Sequence, residues 1–170
     1  RDPAAAPFGS PLARVSERAV AERVAALPAV DRITVTRRWP STMNIRVTER
    51  RPLFHVGGGP EAVLVDPGGA VFRATPPVGV LEGRGATDDP RLLAGVATVV
   101  EGLPPELRDA AVLVEFPSAD AITVRLAHDR MIFFGSAEDA RTKGEVALAL
   151  FHGTHAGQID VSAPGRPSTR

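Results

Sequence analysis

RRWPSTMNIRVTERRP, residues 37–52, is the stretch whose reading decides the architecture. Met43, Ile45 and Val47 alternate with Asn44, Arg46 and Thr48, and just upstream Ile33 and Val35 alternate with Thr34 and Thr36. A period of two on both sides of Trp39-Pro40-Ser41-Thr42 predicts a hairpin, with Trp39 anchoring the turn beside Pro40. The second strand runs into Glu49-Arg50-Arg51-Pro52, and Pro52 restricts the residue before it, so a junction is expected there.

Upstream, Ser16 has the character of an N-cap, with Val15 and Val20 at staple positions and Val20, Val24 and Leu27 on one helical face. Pro28 closes that helix. The resulting helix–strand–turn–strand unit, residues 9–50, is small for an independent core, so part of the module is expected to lie upstream.

Beyond Pro52 the pattern changes. Glu61–Asp66 and Ala70–Ala74 bracket Asp66-Pro67-Gly68-Gly69, a hairpin signal. From Pro90, Leu92, Leu93, Val96, Val99, Val100 and Leu103 recur at helical spacing until Pro104-Pro105. Strands are expected over Ala111–Phe116, Ile122–Leu126 and Met131–Phe134. Ser136 and Asp139 suggest a capping-box start to a helix reaching Phe151. A last strand, Gln158–Ser162, precedes a proline-rich tail. The fold class is α+β: a partial helix–hairpin module, then a mixed α/β domain with a mainly antiparallel sheet.

Composition narrows the function. Twenty basic and twenty acidic residues give a formal charge of zero, so no global field favours nucleic acid or an anionic surface. Without cysteine there is no disulfide, thiolate nucleophile or cysteine-held zinc. The longest near-apolar run, Leu92–Val100, is far short of the roughly 20 residues needed to span a bilayer. Lys143 is the only lysine; with abundant Ala, Val, Gly and Pro this points to a GC-rich coding sequence.

A search for chemistry finds little. His152 and His155 could share a metal only if the helix continued through Gly153, and no third ligand accompanies them. Gly57–Pro60 has no helix start after it to cradle a phosphate, and the paired carboxylates Asp88-Asp89 and Glu138-Asp139 stand at helix starts. Arg37, Arg38, Arg46, Arg50 and Arg51 read as a solvated strand face, since no exposed aromatics interleave them for base stacking. No catalytic residue, metal or cofactor is expected.

The order of motifs resembles the FtsQ/DivIB family of bitopic bacterial cell-division proteins. GSPLARVSERAVAERVAALPAVDRITVTRRWPSTMNIRVTERRPLF, residues 9–54, is similar to the second half of that family's POTRA domain. LVDPGGAVF, RMIFFGSAEDARTKGEVALALF and IDVSAPGRP continue the likeness in the family's order. His128-Asp129-Arg130 departs from its more usual Asp-Gly turn, and composition suggests an actinobacterial member. The resemblance implies a POTRA domain over residues 1–51 lacking its first strand and helix, a β domain over 52–163 and a C-terminal tail over 164–170. It also implies an upstream membrane segment with a cytoplasmic N-terminus.

Function by resemblance is that of a non-enzymatic divisome scaffold at the septal plasma membrane, binding FtsB/DivIC and FtsL and, further, septal synthase components. The competing reading is a periplasmic POTRA domain of a transport or outer-membrane assembly system; a third, a hydrolase, has only His152, His155 and Asp160 in its favour. Docking is expected where an open sheet edge accepts an extended partner segment. The candidate is Gln158, Ile159, Asp160, Val161, Ser162 and Ala163, flanked by Arg141 and Lys143 of the preceding helix. Ile159 and Val161 would face the core, and the Ser162 N–H would point toward the open edge.

Overall fold

A computed structural model of the chain describes residues 15–170. The chain divides into two compact units, Arg1–Arg50 and Arg51–Arg170.

In the first unit, helix α1 (Glu17–Ala25) starts as read: the Ser16 hydroxyl accepts from the Ala19 N–H at 3.3 Å. Strands β1 (Val30–Arg38) and β2 (Thr42–Glu49) pair antiparallel, with Ile33 opposite Val47, Val35 opposite Ile45 and Arg38 opposite Thr42 at the tip. Val20 and Val24 of α1 and Val30 of β1 are buried. Ile45 and Val47 remain 40% and 42% exposed, because α1 packs on β1. Trp39, expected to anchor the turn, is 68% exposed, with the Arg37 guanidinium 5.6 Å from its ring.

The second unit is one nine-stranded sheet with its helices packed on one face. The strands are β3 (Phe54–Val56), β4 (Val63–Val65), β5 (Val71–Arg73), β6 (Leu81–Gly85), β7 (Ala111–Phe116), β8 (Ile122–Leu126), β9 (Met131–Gly135), β10 (Gln158–Asp160) and β11 (Ser168–Thr169), in the order β11-β10-β9-β8-β7-β6-β3-β4-β5. Three neighbouring pairs, β3–β6, β6–β7 and β9–β10, are parallel and the other five antiparallel, so the mainly antiparallel α+β class holds. The inward residues of the central strands, among them Phe54, Val114, Phe116, Val124, Ile132 and Phe134, form one core with Leu93, Val96 and Val100 of α2 (Pro90–Gly102), Leu107 of α3 (Pro105–Ala110) and Ala147 of α4 (Ala140–Gly153).

Strands β3 and β6 went unread in the sequence. Leu81-Glu82-Gly83-Arg84-Gly85 shows no alternation because its inward positions are emptied to make room for rings: a Cβ at Gly85 would stand 2.3 Å from Phe116 Cδ2. Phe54 and Phe116 meet edge to face there, 5.9 Å apart. Helix α3 was hidden behind Pro104-Pro105, read as a stop, whereas Pro105 occupies the first helical turn, where proline is tolerated. Arg108 of α3 then donates to the Glu101 and Leu103 carbonyls at the end of α2.

The capping box expected at Ser136 and Asp139 is absent. Asp139 takes a left-handed conformation and its side chain caps nothing; Ser136 instead serves Lys143. Residues 164–170, expected as a tail beyond the fold, turn back through a bond from Arg166 N–H to Ala163 C=O and supply β11. Their Pro-Gly turn brings the polar Ser168 and Thr169 back beside β10, a run that composition alone presents as a tail.

Candidate partner-binding site

The expected docking strand lies at the end of the sheet but does not form its edge. β10 runs parallel to β9, with Ile159 opposite Ile132, and antiparallel to β11, with Ile159 opposite Thr169 and Asp160 opposite Ser168. Ile159 and Val161 are buried, as the alternation required. Gln158 and Arg170 exchange both N–H···O bonds at 2.9 Å. Ile159 and Thr169 are therefore the non-bonded pair of the ladder, and the Thr169 N–H and C=O point away from β10, to the outside of the sheet. The open edge is thus β11, one strand further out than the sequence reading put it.

Ser162 is corrected for the same reason. Its N–H donates to Asp160 Oδ1 at 2.9 Å and its hydroxyl to the same oxygen at 2.7 Å, so no donor is left for an incoming strand. Gly135, at the end of β9 with φ +66°, closes the turn from below, since a Cβ there would meet Ser162 Cβ at 3.0 Å. Ala163 is exposed at the turn.

Lys143 cannot face a partner. Its side chain is 2% exposed, and Nζ donates to Phe134 C=O at 3.1 Å, Ser136 C=O at 3.0 Å and Ser136 Oγ at 3.5 Å. Three oxygens satisfy an ammonium's three donors, which makes burial tolerable without a carboxylate. Lys143 therefore pins α4 to the end of β9. Arg141 is exposed and pairs with Glu145 at 3.5 Å. It lines a groove against Glu101–Pro105, on the flank of α4 that meets α2, so it does not extend the β10–β11 surface.

The sequence reading also missed Arg130. Its guanidinium donates to the carbonyls of Ala156, Phe151 and Thr154 at 3.0–3.2 Å and lies 4.0 Å above the Phe151 ring. It thus closes the C-terminus of α4 and holds the loop that enters β10. His128 and Asp129, both at positive φ, make the β8–β9 turn just before it. The opposite edge of the sheet is β5, which ends at Arg73 shortly before Pro76-Pro77.

Two of the residues in the hydrolase reading have other partners. His152 Nε2 lies 3.1 Å from Glu106 of α3, and Asp160 is engaged by Ser162. Helix α4 ends at Gly153, leaving His155 beyond it. Among the described residues no group of three His, Cys, Asp or Glu is placed to hold a metal ion, and no helix is long and apolar enough to cross a membrane.

The helix–hairpin unit places the chain among POTRA-containing proteins: residues 3–50 match the family model of the POTRA domain, FtsQ-type. Full-length comparison is more specific. The chain is 36% identical to the cell division protein FtsQ of Streptomyces griseus, over 97% of this chain and 86% of that protein. It is 34% identical to FtsQ of Streptomyces venezuelae (98% and 66%) and 31% identical to FtsQ of Mycobacterium leprae (99% and 50%). The chain belongs to the FtsQ family of cell division proteins. It spans about two thirds of the Streptomyces venezuelae relative and half of the Mycobacterium leprae one. These relatives are actinobacterial, as composition suggested, and they set the divisome reading ahead of the transport one.

Proposed function

We propose that the chain is the extracytoplasmic part of a non-enzymatic divisome scaffold, which binds FtsB/DivIC and FtsL and links them to septal peptidoglycan synthesis. A POTRA domain ending near residue 51 and a β domain beyond it are held at the septal membrane by a single upstream span, with the N-terminus cytoplasmic. Family membership supports the role in division.

One observation carries the binding mode: the Thr169 N–H and C=O face outward from the terminal strand of the sheet. An extended FtsB/DivIC segment adds to β11 through these groups and reads the surface by its alternate side chains. The docking surface is then Ser168, Thr169 and Arg170, with Gln158 and Asp160 beside them on the same hairpin. Ile159, Val161 and Lys143 support it from within. Titrating the chain with the extracytoplasmic FtsB/DivIC segment tests the reading. Binding that Thr169→Pro weakens supports it, and binding indifferent to that change moves the site elsewhere.

A further inference from the structure

We infer that the tip and outer face of the β1–β2 hairpin form a docking surface for an anionic phospholipid bilayer. Residues 32–48 hold four arginines and no acidic residue, a local formal charge of +4 in a chain whose total is zero. Arg37 is engaged inward, by Glu17 at 3.5 Å and the Val15 carbonyl. Arg32, Arg38 and Arg46 are different: they share the other face of the hairpin, where Arg32 pairs with Thr48, Thr34 with Arg46, Thr36 with Asn44 and Arg38 with Thr42. All eight of these residues are exposed, and among the described residues the three arginines have no ion-pair or hydrogen-bond partner. An open recess of 480 Å³ lies between Thr34, Thr36, Asn44 and Arg46.

The chemistry of that face is donor-rich and cationic, suited to phosphate esters, which guanidinium groups bind in fork geometry and hydroxyls and amides supplement. Trp39 adds the second half of the argument. Trp39, 68% exposed at the hairpin tip, keeps most of its ring outside the fold apart from its contact with Arg37. An indole with its apolar ring and polar N–H fits the headgroup layer of a bilayer, where arginine also resides. The tip is the end of the hairpin remote from Arg50. A single ring is a poor platform for successive bases, which separates this surface from a nucleic-acid groove. The inference does not use the partner reading, and its test contains no partner.

Trp39 is the chain's only tryptophan, so its emission reports on this site alone. Vesicles of equal phosphatidylglycerol and phosphatidylcholine should shift Trp39 emission to the blue and carry the protein down on sedimentation, both effects fading as salt is raised. Vesicles of phosphatidylcholine alone should do neither. The double change Arg38→Gln with Arg46→Gln, checked for folding by circular dichroism, should lower vesicle partitioning about thirtyfold, from roughly fivefold per arginine. Unchanged emission with the anionic vesicles overturns the inference. So does an equal shift with neutral vesicles or with a soluble polyanion, or wild-type partitioning by the folded double variant.

Discussion

Asp160 and Ser162 form a two-bond clasp, with Asp160 Oδ1 accepting from both the Ser162 N–H and its hydroxyl. The clasp bends the chain after β10 and starts the turn that returns as β11. Asp160→Ala should lower stability by about 1 kcal/mol, since both bonds lie at a partly exposed site. Urea unfolding would report it as a lower midpoint at constant slope, with faster hydrogen exchange at the Arg170 amide. An unaltered midpoint and exchange rate would show that the clasp holds nothing.

Lys143→Met should destabilise the chain by roughly 3 kcal/mol, because the Phe134 and Ser136 carbonyls lose a charged donor in a buried place. Lys143→Arg should not restore it: a planar guanidinium is too large for a pocket shaped to a point charge. Full stability in either variant would contradict the pinning role. Charge reversal at Lys143 would unfold the unit before it tested partner binding, since a carboxylate would face the Phe134 and Ser136 carbonyls.

Gly144→Ala ordinarily favours a helix, by up to about 1 kcal/mol. Here a Cβ would stand 2.4 Å from the Gly102 carbonyl oxygen, where α4 crosses α2. The helices must separate, and the net cost should be about 1–3 kcal/mol. Calorimetry should record a melting temperature several degrees lower, and a rise would mean that the crossing yields easily.

Arg130→Lys should free the loop between α4 and β10, because the Ala156, Phe151 and Thr154 carbonyls accept from three different nitrogens of a planar fork stacked on Phe151, which a compact ammonium does not reproduce. The amide of Ala156 should exchange faster while those of α2 stay protected. Equal protection throughout would assign the loop's order to other contacts.

How far the sequence could be read depended on where the signal lay. Helices α1 and α2 and the hairpin of β1 and β2 were legible, because each carries its own cap or alternation, as Ser16, Asp89 and the run Met43–Val47 do. β6 was not, since Gly83 and Gly85 are dictated by rings some thirty residues distant in the chain. At the candidate site, the inward Ile159 and Val161 followed from alternation. The pairing of β10 with Ser168 and Thr169 did not, because those residues bury no apolar side chain and leave no periodic trace. Lys143 misled for the opposite reason: a charged residue on a helix reads as surface until its three oxygen partners are seen.

The central claim, that an extended partner adds to β11, rests on the outward N–H of Thr169 and is tested most directly there. Thr169→Pro removes that donor without touching a bond between β10 and β11, and edge strands tolerate proline. The measurement is calorimetric titration of the chain with the extracytoplasmic FtsB/DivIC segment, with circular dichroism confirming the fold. The account predicts at least tenfold weaker binding by the variant, about 1.4 kcal/mol, with little change in melting temperature. Wild-type affinity in a folded Thr169→Pro chain would contradict it.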